Sequence, residues 1–147
     1  MSAVETRAAV SELLAEYFAR TDRIVNLPID PLFALGGRMR LGALVRDGRE
    51  EIAAYFADRR VQEDAGGRKT RHVMSNLVVE ALGAGAARVR FQCLVFAGVG
   101  DFPLPSQAPA TIADFAADCV RQADAWLIAE LRGRVTFTGV NAATFAR

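Results

Sequence analysis

The N-terminal segment, from Ser2 to about Asp22, places its apolar residues at the spacing of an α-helix. Glutamates and arginines fill the positions between them. The apolar stripe consists of Val4, Ala8, Leu13, Leu14, Tyr17 and Phe18. This period predicts an amphipathic first helix that ends near Asp22. Tyr17 lies on the stripe, so we expect its ring to be buried and its hydroxyl to need a partner.

The next part of the chain predicts a loop, short strands and a second helix. Two prolines in residues 26–31 favour a loop. Residues 32–35 and 38–44 have the composition of short strands, and residues 46–48 predict the turn after them. Residues 49–60 return to a helical period, with an apolar face formed by Ile52, Ala53, Tyr55 and Phe56.

The C-terminal half alternates apolar and polar residues in three long segments, 86–97, 110–121 and 126–137. Helices followed by long strands are typical of an α+β fold, in which helices cover one face of an antiparallel sheet. The loop at residues 98–109 contains three prolines and is long enough to lie over the mouth of a pocket. The 147 residues fit one domain, spanning 1–147.

A further strand, residues 73–79, follows His72, which is the only histidine in the sequence. Glycines on both sides bound this strand. Side chains alternate between the faces of a strand, so His72 should share a face with Met74, Asn76 and Val78. This mixed face suits the wall of a ligand pocket. The alternative is a surface or capped histidine at the start of a strand.

Composition and charge exclude several classes of partner. The net charge is +1 and the basic residues are scattered, so we expect no nucleic-acid partner. No apolar run is long enough for a signal peptide or a membrane helix, which predicts a cytoplasmic protein without a membrane partner. Cys93 and Cys119 lie among apolar residues and indicate buried thiols in a reducing compartment.

Several kinds of chemistry are also disfavoured. A single histidine excludes the usual zinc sets, and there is no HExxH or GxSxG motif. The glycine-rich turn at 83–86 joins two predicted strands instead of opening a helix, so it does not predict a nucleotide site. Lys69, the only lysine, lies on an expected surface turn. We therefore expect no metal and no cofactor, which leaves acid/base chemistry by Tyr17, Asp22 and His72, or binding in an apolar cavity.

Asp22 falls in the last turn of the predicted first helix, where the helix dipole disfavours an anion. If this carboxyl is also desolvated, its pKa should be raised, which is a property of a general base. The alternative is a solvated aspartate at a frayed helix end.

Four short segments together resemble the NTF2-like superfamily, and within it the SnoaL-like and scytalone dehydratase-like branch. They are YFARTD at residues 17–22, GREEI at 48–52, RHVMSN at 71–76 and DAWLIA at 124–129. The resemblance implies a cone-shaped α+β barrel, in which a curved mixed or antiparallel sheet wraps around a long N-terminal helix. It also implies an internal, mostly apolar pocket and, often, a homodimer.

The resemblance also implies roles for individual residues. Asp22 and His72 fall where dehydratases of this branch keep a catalytic aspartate and histidine. Tyr17 falls near the position at which ketosteroid isomerases keep a tyrosine that stabilises an oxyanion. The chain departs from the scytalone dehydratase pattern because it lacks the second histidine, with Phe91, Gln92 and Cys93 in that neighbourhood.

Our leading hypothesis is a cofactor-free acid/base enzyme, of the dehydratase or the isomerase and cyclase type, acting on a small hydrophobic cyclic or aromatic substrate. His72 would be the base, Asp22 would orient it, and Tyr17 would donate a hydrogen bond to the developing oxyanion. The expected pocket wall consists of Tyr55, Met74, Asn76, Val78 and Trp126. The alternative is a non-catalytic binding protein or the small subunit of a ring-hydroxylating oxygenase.

A homodimer is expected from two mixed strand sides, one with Arg88, Arg90, Gln92 and Leu94, and the other with Ile128, Glu130, Arg132 and Arg134. Each side is too charged for a core yet is interrupted by an apolar residue. This mixture is typical of a self-complementary interface.

Overall fold

The computed structural model describes residues 1–139, which form two α-helices and one sheet of six strands. The helices are α1 (Ala3–Thr21) and α2 (Gly48–Gly66), and a short 3-10 turn covers Asp30–Leu32. The strands are β1 (Phe33–Leu41), β2 (Leu44–Asp47), β3 (Arg68–Ala81), β4 (Ala86–Val99), β5 (Thr111–Gln122) and β6 (Ala125–Thr138). The predicted α+β class is confirmed.

The sheet has the strand order β2-β1-β6-β5-β4-β3. Its neighbours pair antiparallel, except that β1 and β6 run parallel. The sheet is curved and does not close, since β2 and β3 remain its edges. Both helices contact this sheet, and the buried core consists of apolar side chains from α1, α2 and the strands.

The first helix begins and ends as its sequence predicts. Ser2 and Glu5 form a capping box, in which each side chain accepts a hydrogen bond from the backbone of the other residue. Val10, Leu14 and Tyr17 are almost completely buried. The helix therefore lies with its apolar stripe in the core and delivers Asp22, directly after its last residue, to the edge strand β3.

Two boundaries in the middle of the chain differ from prediction. The hairpin between β1 and β2 turns after Leu41, where Gly42 has a φ of 60°, and not at residues 46–48. The second helix continues beyond residue 60 and is capped by Gly67, whose φ is 69°. This extension adds one ion pair along the helix, between Arg59 and Glu63.

A β-bulge in β3 changes the face on which its later residues lie. The pairing with β4 shifts between Ser75 and Val78, and Asn76 has a φ of 56°. Val78 is 61% exposed, whereas Leu77 is partly buried against the core. The expectation that Asn76 and Val78 share the face of His72 is therefore wrong, because one inserted residue reverses the alternation.

A second shift, between β5 and β6, affects the predicted dimer surface. Asp118 pairs with Glu130, whereas the next residue, Cys119, pairs with Ile128, so the register changes between them. Ile128 is fully buried in the core. Ile128 consequently does not lie on the same side of the sheet as Glu130 and Arg132. The prediction that Ile128 is an apolar residue within that charged side is wrong.

Both cysteines are buried and carry free thiols, as predicted. Burial raises the pKa of Cys93 and of Cys119 to about 12. Among the described residues, neither helix is long and apolar enough to cross a membrane.

Candidate active site

Asp22 and His72 form a hydrogen-bonded pair where the end of α1 meets β3. The His72 Nδ1 atom lies 2.6 Å from Asp22 Oδ1, and the His72 backbone N–H donates to Asp22 Oδ2 at 2.6 Å. The Asp22 side chain is 2% exposed, and the His72 side chain is 11% exposed. A carboxylate in this position favours the imidazole tautomer with its proton on Nδ1, which leaves Nε2 as the nitrogen able to accept a proton.

Thr70 completes the surroundings of this carboxylate by donating its hydroxyl to Asp22 Oδ1 at 2.8 Å. Burial alone raises the pKa of Asp22, but hydrogen bonds from His72 and Thr70, together with the charge of His72, outweigh it. The pKa of Asp22 therefore lies below its ordinary value. The expectation of a raised pKa at Asp22 is wrong, and the geometry indicates an ionised carboxylate that orients its neighbour.

Phe18 fixes the plane of the histidine ring from the other side. Its ring stacks on the imidazole with centroids 5.1 Å apart and an angle of 23° between the planes. Phe91 and Phe115 in turn contact the Phe18 ring edge to face. His72 is thus held by a carboxylate at one edge and by an aromatic face.

A cavity of about 670 Å³ lies between the end of α1, α2 and the inner face of the sheet, and His72 lines it. This volume is within the usual range for small-molecule sites. Its apolar wall includes Phe18, Leu41, Val95, Ala113, Phe115 and Val135. Its polar groups include Tyr17, Tyr55, Arg59, Glu63 and Thr70. Further polar residues, Thr21, Arg46, Asp58, Gln62, Arg68 and Thr111, also line it, so the cavity combines an apolar wall with a strongly polar one.

Three of the predicted site residues line this cavity, namely Tyr17, Tyr55 and His72. Asp22 lies behind His72, hydrogen-bonded to it and nine-tenths buried. Met74 shares the inner face of β3 but packs against the core and is not among the lining residues.

The other predicted lining residues lie elsewhere. Trp126 is buried near the start of α1, where its Nε1 donates to Met1 Sδ at 3.4 Å. Because a helix rises about 1.5 Å per residue, this point is about 20 Å along α1 from Tyr17. Asn76 donates to Gln92 Oε1 at 3.0 Å and, with Val78, lines a shallow depression on the outer face of the sheet. The expectation that these three residues line the pocket is wrong.

The two cavity tyrosines are neutral hydrogen-bond donors. Tyr17 is 2% exposed, and its hydroxyl donates to Met39 Sδ at 3.6 Å. Burial raises the pKa of Tyr17 well above its ordinary value, and it raises the pKa of Tyr55 as well. A thioether is a weak acceptor, so a substrate oxygen would compete well for the Tyr17 hydroxyl.

Sequence reasoning missed Arg59, Glu63 and Thr70. Arg59 Nε donates to Glu63 Oε1 at 2.8 Å, and one terminal nitrogen of Arg59 lies 3.4 Å from the Thr70 hydroxyl. The signal was present as an arginine and a glutamate four residues apart. This spacing was not recognised because the predicted helix ended at residue 60, before Glu63.

The neighbourhood in which scytalone dehydratase-like proteins keep a second histidine is apolar here. Phe91 is buried and stacks on Phe115 with centroids 5.2 Å apart, and Cys93 is fully buried. Within residues 1–139, no three histidine, cysteine, aspartate or glutamate side chains converge as metal ligands would. Because the sequence contains a single histidine, His72 supplies the one imidazole of the cavity.

The sequence from residue 2 to residue 132 matches the model of the SnoaL-like domain. The chain belongs to the SnoaL-like domain family. This match confirms the predicted branch of the NTF2-like superfamily. No curated protein matches the chain.

Solved structures of the same fold cover nearly the whole SnoaL-like chain. One is provisionally assigned as a scytalone dehydratase from Novosphingobium aromaticivorans, with 19% identity, a TM-score of 0.74, and coverage of 95% of this chain and 91% of that one. A type 2 hexachlorocyclohexane dehydrochlorinase (LinA) has 16% identity, a TM-score of 0.75, and coverage of 95% and 94%.

A third structure, provisionally assigned as an aromatic ring hydroxylase from Novosphingobium aromaticivorans, has 14% identity and a TM-score of 0.77 over 100% of both chains. At such identities these similarities establish a shared fold alone.

Proposed function

We propose that this SnoaL-like domain is a cofactor-free acid/base enzyme that removes a proton from a small cyclic or aromatic substrate. The observation that carries the proposal is the buried Asp22 and His72 pair, whose imidazole lines a cavity with an apolar wall. A histidine oriented by a carboxylate is a frequent general base. The dehydrochlorinase and the provisional dehydratase of similar fold are named for eliminations, which is consistent with this chemistry.

In the proposed reaction, His72 Nε2 accepts a proton from a carbon of the substrate. The ionised Asp22 stabilises the imidazolium that forms, because it already accepts from Nδ1. In a dehydration, the same imidazolium would return the proton to the departing hydroxyl. One C–H bond and one C–O bond break, a C=C bond forms, and water leaves without any change in the protein. A single histidine therefore suffices if both groups leave from the same face of the substrate.

The walls of the cavity favour a hydrophobic ring as the substrate. Phe18, Phe115 and Val135 offer apolar contact, and the cavity volume of about 670 Å³ accommodates one or two fused rings with substituents. Tyr17 and Tyr55 provide neutral hydroxyl donors for a substrate oxygen. We therefore propose a small cyclic or aromatic compound with few polar groups.

The alternative function is non-catalytic binding of such a ligand, or a role as the small subunit of a ring-hydroxylating oxygenase. The observation that favours it is the fold similarity to a protein provisionally assigned as an aromatic ring hydroxylase. In this alternative, Asp22 and His72 would only connect α1 to β3. The two functions differ in whether proton transfer from a bound ligand depends on His72.

Deuterium exchange tests the proposed proton abstraction before the natural substrate is identified. The probe is 2-tetralone, a bicyclic ketone with acidic C–H bonds, incubated in deuterated buffer and followed by NMR. We expect exchange above the buffer rate in the wild type and a loss of about 100-fold or more in His72→Asn. Met74→Leu, a change on the same face of β3 outside the cavity lining, should keep the wild-type rate.

Exchange at the same rate in the wild type and in His72→Asn would contradict the proposal. If the wild type binds 2-tetralone but deuterium exchange is no faster than in buffer, the result would favour the alternative of a non-catalytic binding protein.

A further inference from the structure

Arg59 places a largely desolvated positive charge in the wall of the cavity. It lies on α2, its side chain is 19% exposed, and it is among the residues that line the cavity with His72. Removing a guanidinium from water is costly unless other groups compensate. Two features of Arg59 therefore need an explanation, namely the groups that compensate for its desolvation and its position in the cavity wall.

Glu63 and Thr70 hold the guanidinium in place. Glu63, whose side chain is 7% exposed, accepts from Arg59 Nε at 2.8 Å, and the Thr70 hydroxyl lies 3.4 Å from a terminal nitrogen. The same hydroxyl donates to Asp22. Arg59 and His72 are thus the two ends of one hydrogen-bonded chain that runs through Thr70 and Asp22.

The guanidinium also lies close to the two cavity phenols. Tyr55 is hydrogen-bonded to Arg59, and Tyr17 lies within electrostatic range of the guanidinium. The contacts with Glu63, Thr70 and Tyr55 require only three of the five N–H donors that a guanidinium carries. This end of the cavity therefore brings a fixed cation and neutral hydroxyl donors together.

Resting on the proposed function, we infer that Arg59 binds the substrate oxygen on which negative charge develops when His72 removes the proton. The substrate class is then a ring compound with a carbonyl group next to the acidic C–H bond. When that bond breaks, its proton goes to His72 Nε2 and its electron pair moves to the carbonyl oxygen, which forms an enolate. Charged donors form stronger hydrogen bonds to anionic oxygens than neutral hydroxyls do, so Arg59 is better suited to this oxygen than Tyr17.

The test uses 4-nitrophenol, whose ionised form resembles an enolate and absorbs at a different wavelength from the neutral form. We expect the bound phenol to be ionised about ten-fold more readily than the free phenol in the wild type. The double variant Arg59→Met with Glu63→Gln, which removes the ion pair without leaving a buried unpaired carboxylate, should lose this preference. Arg60→Met is the matched control, because Arg60 donates instead to the Leu27 carbonyl on the surface.

Repeating the 4-nitrophenol measurement in variants that also carry His72→Asn separates this inference from the proposed function. Binding of the phenolate that depends on Arg59 should persist there, although proton abstraction cannot occur. Absence of deuterium exchange together with Arg59-dependent phenolate binding would overturn the proposed function alone.

An equal ionisation of the bound phenol in the wild type and the double variant would overturn the inference, as would the absence of any spectral shift with the wild type. If the double variant does not fold, Arg59→Lys keeps the charge but loses the planar fork of donors. It is then expected to reduce the preference several-fold, and an unchanged preference would overturn the inference.

Discussion

The Asp22 carboxylate is the residue on which the geometry of the site depends most. Its two oxygens accept from the Thr70 hydroxyl, from the His72 ring and from the His72 backbone. Each of these bonds favours the ionised form, and together they outweigh the effect of burial on its pKa. Asp22 therefore orients the imidazole as an anion, and its hydrogen bonds also join α1 to β3.

The lowered pKa of Asp22 predicts a pH dependence of stability. A carboxyl whose folded pKa is below the unfolded value contributes stability above the ordinary aspartate pKa of about 3.9 and loses it as the pH falls through the folded value. The free energy of unfolding, measured by denaturant titration from about pH 7 down to about pH 2, should fall less in Asp22→Asn than in the wild type.

Asp124→Asn is the control, since that side chain is fully exposed and should leave the slope unchanged. Identical slopes for Asp22→Asn and the wild type would contradict the assigned role of the carboxylate.

At the scale of elements, the bulge in β3 decides which side chains reach the cavity. Thr70, His72 and Met74 precede it and lie on the inner face, whereas Asn76 and Val78 lie outside. The bulge uses a residue in the left-handed region, which asparagine tolerates better than most residues.

This conformation predicts an asymmetric response to substitution at position 76. Asn76→Val should lower the free energy of unfolding by about 1–2 kcal/mol, because a β-branched residue is strained at positive φ. Asn76→Gly should cost much less. Ser75→Val, one position earlier and outside the left-handed region, is the control. Denaturant titration checks this, and equal losses for Asn76→Val and Asn76→Gly would mean that backbone strain does not govern the position.

Sequence patterns predicted the parts of the site that depend on local periodicity. The stripe of α1 placed Tyr17 in the core and ended the helix near Asp22, and periodicity placed His72 at the start of a strand. That Asp22 and His72 meet was implied only by the resemblance to dehydratases of the SnoaL-like branch. Strict alternation could not predict Asn76 and Val78, because a bulge depends on backbone conformation and pairing. The pairing of Arg59 with Glu63 was missed because Glu63 lies beyond the predicted helix, whose true end is set by the left-handed Gly67 and not by a loss of periodicity.

At the scale of the whole molecule, the sheet has two faces of opposite character. The inner face carries the core and the cavity. The outer face carries a chain of ion pairs, in which Asp118 lies 2.6 Å from Arg88 and 2.9 Å from Arg132, and Arg132 lies 3.5 Å from Glu130. These side chains are only about one-quarter to one-third exposed, so they form an ordered polar surface.

We propose that this outer face is the contact surface of a two-fold homodimer. A partly buried polar surface with alternating charges can be complementary to a second copy of itself, and two-fold dimers are the commonest assembly. Light scattering at micromolar concentration should give twice the mass of one chain. Arg132→Glu should shift the protein towards the monomer, whereas Arg60→Glu, on α2, should not. A monomer mass for the wild type would contradict the proposal.

The central claim is that Asp22 and His72 act as one acid/base unit on a substrate in the cavity. A double-mutant cycle on the rate of deuterium exchange into 2-tetralone tests it most directly, with thermal melts of the same variants. Asp22→Asn and His72→Asn should each cost on the order of 2–4 kcal/mol in transition-state stabilisation, and the double variant should cost little more than either. Additive losses in rate, or losses that only follow the change in melting temperature, would contradict the claim.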